Sequence, residues 1–141
     1  MVKLLSVSEL AERIRRTDTA VYGLRKRGGL PPAALLAGRL GWRDDDIESW
    51  LAGIYAAEPV GPSDAAEWVA GVPLLTLAET AAAIGRSTRT IRHMRAAGDA
   101  PRGAVVGGQL LFRADDVSAF VDYRSRLYAP TATPTPTGVR Q

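Results

Sequence analysis

Residues 74–121 read LLTLAETAAAIGRSTRTIRHMRAAGDAPRGAVVGGQLLFRADDVSAFV, and residues 4–51 read LLSVSELAERIRRTDTAVYGLRKRGGLPPAALLAGRLGWRDDDIESWL. Laid over each other at a constant offset of 70, they align without a gap. Identical pairs include Leu4/Leu74, Glu9/Glu79, Ala11/Ala81, Ile14/Ile84, Arg25/Arg95, Gly28/Gly98, Pro31/Pro101, Gly38/Gly108, Leu40/Leu110, Arg43/Arg113 and Asp45/Asp115. Aromatic positions keep register too, with Trp42 over Phe112 and Trp50 over Phe120. Composition bias toward Ala and Arg does not preserve glycines, prolines and aromatics together. The chain is therefore an internal repeat of two copies.

Each copy has the same local grammar. Ser6 or Thr76, with Glu9 or Glu79 three residues on, forms a capping box. Val7, Leu10, Ala11 and Ile14 then recur at helical spacing, matched by Leu77, Ala81 and Ile84. After a short polar turn, Thr17 or Ser87 caps a second helix. Its inward residues are Val21 and Leu24, or Ile91 and Met94. Gly28 and Gly98 stop it, and Pro31 and Pro101 block its continuation. An apolar stretch around a glycine turn follows, Leu35–Leu40 or Val105–Leu110. Gly107-Gly108 suits a hairpin tip, because both residues tolerate positive φ. Asp44–Asp46 or Asp115–Asp116 opens a third helix, where carboxylates favour the positive end of the helix dipole.

Helix, turn, helix, hairpin, helix is the order of a small winged helix-turn-helix. Each copy resembles the excisionase/AlpA-type branch of the MerR-like winged-helix DNA-binding domains. The resemblance rests on the leucine pair, the capping box, the second cap, the Gly–Pro stop, and the aromatic–Arg pairs Trp42-Arg43 and Phe112-Arg113 that precede the last helix. It covers about 48 residues twice. The first copy departs from the pattern at Gly41 and in an Ala/Leu-rich first hairpin strand. The fold expected is mainly α with small β-hairpin wings, as two tandem winged helix-turn-helix domains. Their expected bounds are residues 1–56 and 74–128. Between them lies an acidic Pro/Gly-containing linker, 57–73, with a short helix near Asp64–Ala70. A disordered Pro/Thr-rich tail, 129–141, follows.

The resemblance implies that each second helix enters the major groove and each wing meets phosphates. In the second copy the outward residues are Thr88, Arg89, Arg92, His93 and Arg95. Arginine reads guanine and grips phosphate. Ser87 at the cap leaves amides for a phosphate. Arginines at 86, 89, 92 and 95 drift around the helix, so Arg89 and Arg92 are assigned to the groove, and Arg86 and Arg95 to the backbone. Gln109 stands on the wing. In the first copy the corresponding contacts are Thr19, Tyr22, Arg25 and Lys26 on the helix, Arg15 and Arg16 in the turn, and Arg39 in the wing. The first copy differs enough in chemistry that a protein-contact role stands beside DNA reading.

Composition supports binding over catalysis. Charged residues make 23% of the 141 and the net charge is +3. Two basic segments flank the connector Ile54–Pro73, which holds three acids and no base. No cysteine and a single histidine exclude disulfides, zinc fingers and thiol nucleophiles. No nucleophile is paired with His93, and neither a phosphate-binding loop nor a dinucleotide fingerprint occurs. The expectation is a protein that is not an enzyme and has no cofactor. No apolar run reaches the roughly 20 residues of a membrane span. A cytoplasmic location without membrane attachment is expected.

The connector could reach about 70 Å if extended, enough for half-sites one helical turn apart, about 34 Å. The partner expected is double-stranded DNA, with integrase or RNA polymerase as protein partners, and the chain is expected to act as a monomer or a DNA-assembled oligomer. The roles implied are an excisionase-like directionality factor or a small transcriptional regulator of a phage or mobile element. A phage packaging adaptor, like a terminase small subunit, or a protein-interaction module is the alternative.

Overall fold

Residues 4 and 5, to which the sequence patterns assign no element, begin the first sheet. In the computed structural model, which describes residues 2–58 and 67–128, β1 (Leu4–Leu5) leads into α1 (Val7–Arg13) and α2 (Asp18–Lys26). The hairpin β2 (Ala34–Leu36) and β3 (Arg39–Arg43) and the helix α3 (Asp44–Ala56) complete the first half. The second half repeats the order: β4 (Leu74–Thr76), α4 (Leu77–Ile84), α5 (Thr88–Ala96), β5 (Gly103–Val106), β6 (Gln109–Arg113) and α6 (Ala114–Tyr128). The architecture is mixed α/β, because each hairpin gains a third strand. The sheet orders are β1-β3-β2 and β4-β6-β5, all antiparallel. The offset of 70 holds in the register as well. Leu4 faces Arg43 as Leu74 faces Arg113, and Ala34 faces Gly41 as Ala104 faces Leu111.

The caps form as the residue types dictate. Ser6 accepts from the Glu9 amide at 3.1 Å and Glu9 accepts from the Ser6 amide at 3.0 Å. Thr76 and Glu79 do the same at 3.2 and 2.9 Å. Such a cap stabilises a helix by about 1 kcal/mol. Lys3 beside Glu9, with the Ser6 amide, holds that carboxyl at about 2. Thr17 and Ser87 cap α2 and α5 by accepting from Ala20 and Thr90. At the two hairpin tips, Ala37-Gly38 and Gly107-Gly108 all have positive φ, the requirement of a tight two-residue turn.

Two apolar clusters hold the fold, and they do not divide at the repeat boundary. Ala81, Ile91, Phe112 and Val117 form the core of the second half. The larger cluster contains Leu10, Ile14, Val21, Leu24, Trp42, Ile47, Leu51 and Tyr55 of the first half, together with Leu74, Ala104, Val106 and Leu111 of the second. The second sheet is thus buried on both faces. Its alternating side chains send Phe112 to its own helices and Leu111 to α3, as the two-residue period of a strand requires. Hydrophobic burial of this kind is the main force joining the halves.

The described part of the connector is packed rather than extended. Trp68 stacks against Tyr55 with ring centroids 5.5 Å apart. The Arg13 guanidinium lies 5.7 Å from its ring and that of Arg113 lies 5.2 Å away. Its indole N–H donates to Glu48 at 3.1 Å. Of the helix expected over Asp64–Ala70, residues 64–66 lie outside the described residues and 67–70 are not helical. The tail 129–141 also lies outside them. Among the described residues no helix is long and apolar enough to cross a membrane.

Candidate nucleic-acid interface

The most basic exposed helix face is that of α5. Gly85, at φ 79, ends α4 in a left-handed turn, and Ser87 starts the next helix two residues later. Ile91, fully buried, pins α5 to the core and fixes which residues face out. Thr88, Arg89, Arg92 and His93 are exposed, as are Arg86 and Ser87 before the helix. Arg89, Arg92 and His93 are spaced three and four residues apart and so lie on one face. Among the described residues no side chain of these three, nor that of Arg86, has an ion-pair or hydrogen-bond partner. No acidic residue occurs in α5. A cationic, uncompensated helix face of this kind attracts a polyanion.

Arg95 sits apart from that face. It is half-buried, 3.5 Å from Glu58 and 3.4 Å from the Gly103 carbonyl. Its Nε is buried without a partner. Gln109 is half-buried at the start of β6. The tip of its hairpin lies against the first half, where a Cβ on Gly107 would come within 2.8 Å of Leu24 and one on Gly108 within 3.9 Å of Arg16. The second hairpin therefore makes a contact between the two halves.

The first half presents a weaker field. On α2, Thr19, Tyr22, Arg25 and Lys26 are exposed. Asp18 also lies there, accepting from the Ser8 hydroxyl at 2.8 Å. Arg39 is exposed beside the free tip of the first hairpin. Arg16 is half-buried. Arg15, in a left-handed conformation at φ 60, turns toward the second half. It makes a bidentate pair with Glu79 at 2.8 and 2.9 Å and donates to the Leu74 carbonyl at 3.2 Å. The Arg15 guanidinium and the Thr76 amide hold the Glu79 carboxyl below its usual range.

The residues thus fall into two groups. Arg86, Ser87, Thr88, Arg89, Arg92 and His93 come together on one exposed surface. Arg15, Arg95 and the Gln109 hairpin lie where the halves meet. Glu48, which with Trp68 organises that meeting, carries no pattern that would single it out for it. Among the described residues no group of three His, Cys, Asp or Glu could hold a metal ion.

Residues 74–124 match the family model of a helix-turn-helix domain. The helix-turn-helix domain spans β4 to the greater part of α6, and α5 stands as its second helix. It is a DNA-binding domain, and double-stranded DNA is the partner it indicates. No curated protein and no solved structure matches the chain.

Proposed function

We propose that the chain is a sequence-specific double-stranded DNA-binding protein made of two winged helix-turn-helix units in tandem. It acts in the cytoplasm for a phage or another mobile element, as an excisionase-like directionality factor or a small transcriptional regulator. It binds rather than catalyses. The observation that carries this reading is the α5 face: Arg89, Arg92 and His93 exposed, on one side of a helix, with no acid on the helix to neutralise them. The shared order and register of the first half support a second unit of the same kind. The protein partner that fits this role is integrase for a directionality factor or RNA polymerase for a regulator.

The test is a binding titration of the full chain on duplex DNA at several salt concentrations. Several phosphate contacts give a log–log slope of about −0.9 per phosphate neutralised. Selection from random duplexes then yields a defined sequence. A flat salt profile, or recovery of no preferred sequence, refutes the reading.

A further inference from the structure

Among the described residues the same sheet surface is built twice and covered once. In the second half it consists of Leu74, Ala104, Val106 and Leu111, all between 0% and 2% exposed. The offset of 70 maps these onto Leu4, Ala34, Leu36 and Gly41, which pair in the same register. There the surface is open: Leu4 is 40% and Leu36 55% exposed. The internal contact shows what covers such a surface. It is the side of the first half made by Leu24 on α2 and by Leu51 and Tyr55 on α3.

That covering side is also built twice. Leu24, Leu51 and Tyr55 map onto Met94, Val121 and Ser125. Met94 and Val121 are half-buried and Ser125 is exposed. Val121 and Ser125 line an open cleft of about 260 Å³ with Ile84, Arg86, Phe120 and Arg124. So one end of the molecule carries an open sheet face and the other an open socket, and the two have the relationship already realised inside the chain. A contact between unlike patches does not close on itself as a two-fold dimer does.

We propose that a second copy of this chain occupies the socket, its first sheet docking by Leu4 and Leu36 against Val121 and Ser125, so that the protein associates head to tail. The contact is weaker than the internal one. Gly85 replaces Arg15 and Ser125 replaces Tyr55, so neither the bidentate pair nor the phenol hydrogen bond has a counterpart. Association is therefore reversible and concentration-dependent. The inference rests on packing alone; Arg89, Arg92 and His93 lie outside the contact, while Arg86 lines the socket and Arg39 pairs with Leu36 at the docking sheet.

Sedimentation velocity of the full chain without DNA, from micromolar to millimolar concentration, tests it. The weight-average mass is expected to rise past that of a dimer without a plateau. Leu36→Glu and Ser125→Glu change exposed positions, and circular dichroism verifies that both variants fold. Each variant alone is expected to stay monomeric. Mixed, they are expected to form a dimer and stop there, because each keeps the end the other lacks. A wild-type chain that remains monomeric throughout overturns the proposal and assigns the open sheet face to another partner. Arrest at a symmetric dimer, or a mixture of variants that stays monomeric, also overturns it.

Discussion

The phenol of Tyr55 donates to the backbone carbonyl of Leu111 at 2.7 Å, joining the last turns of α3 to the central strand of the second sheet. Tyr55 is 1% exposed. Removing the hydroxyl leaves a buried carbonyl with one partner fewer. Tyr55→Phe is expected to cost about 1 kcal/mol. The urea midpoint should fall while the slope of the transition stays the same, because the two halves share one core and should unfold together.

The same residue makes the protein sensitive to alkali. Burial pushes the Tyr55 phenol above its ordinary value of 10.0, and the charge of Asp116 adds to this, while Arg113, Arg13 and Arg102 act against it. Because the folded state holds this proton more tightly, stability begins to fall once the unfolded chain can lose its own. The contribution is intact below about pH 10 and is lost as pH rises beyond it. Melting temperatures measured from pH 8 to 11 should fall steeply at the upper end, and the fall should be shallower in Tyr55→Phe.

On the acid side the group to watch is Glu48. Burial pushes its carboxyl up, but donors outweigh that cost: Arg13 at 2.8 and 3.1 Å, the Gly71 amide at 2.7 Å and the Trp68 indole at 3.1 Å. The net result lies below the ordinary 4.5. Stability from a lowered carboxyl is present above the unfolded value and lost as pH falls through the folded one. Thermal melts from pH 6 to 3 should show declining stability below about 4.5, with a flatter decline in Glu48→Gln.

Trp68 ties the connector to both halves. Trp68→Ala removes the contact with Tyr55, both arginine stacks and the hydrogen bond to Glu48. A half-buried tryptophan of this kind is expected to contribute about 2–3 kcal/mol, below the range for a fully buried ring. Chemical denaturation followed by far-ultraviolet circular dichroism gives the value.

Under the proposed DNA-binding function, Arg89→Ala and Arg92→Ala should each lose about 1–3 kcal/mol of discrimination between the selected sequence and a random one. Lys26→Ala and Arg39→Ala should weaken binding to both about equally. Competition titrations on the two duplexes separate the outcomes. Equal loss for Arg89 and Arg92 on both would reduce them to backbone contacts.

Much of the local structure was legible because it is set by local chemistry. Ser6 with Glu9, Thr76 with Glu79, and the Gly107-Gly108 turn work through atoms a few residues apart, and the offset of 70 carries each reading to its twin. The strands β1 and β4 were not legible, since two or three residues are too few to show alternation. Nor was the unequal burial of the two sheets. Leu36 and Val106 are equally apolar, and only the tertiary arrangement puts one in water and the other under α3. Arg15 and Arg95 read as surface cations for the same reason. Their sequence neighbours do not reveal that Glu79 and Glu58 lie opposite. The length of the connector bounded its reach from above and could not show that Trp68 holds it down.

The second sheet is covered on its outer face by the helices of the first half, while among the described residues the matching face of the first sheet is left open. The two copies are thus stacked like identical cups rather than mirrored like clasped hands. If both second helices grip one duplex, the bound sequence has a left end and a right end, and inverting it presents Thr19 and Tyr22 where Arg89 and Arg92 belong. Orientation on DNA would then be written into a single polypeptide, with no partner needed to break the symmetry.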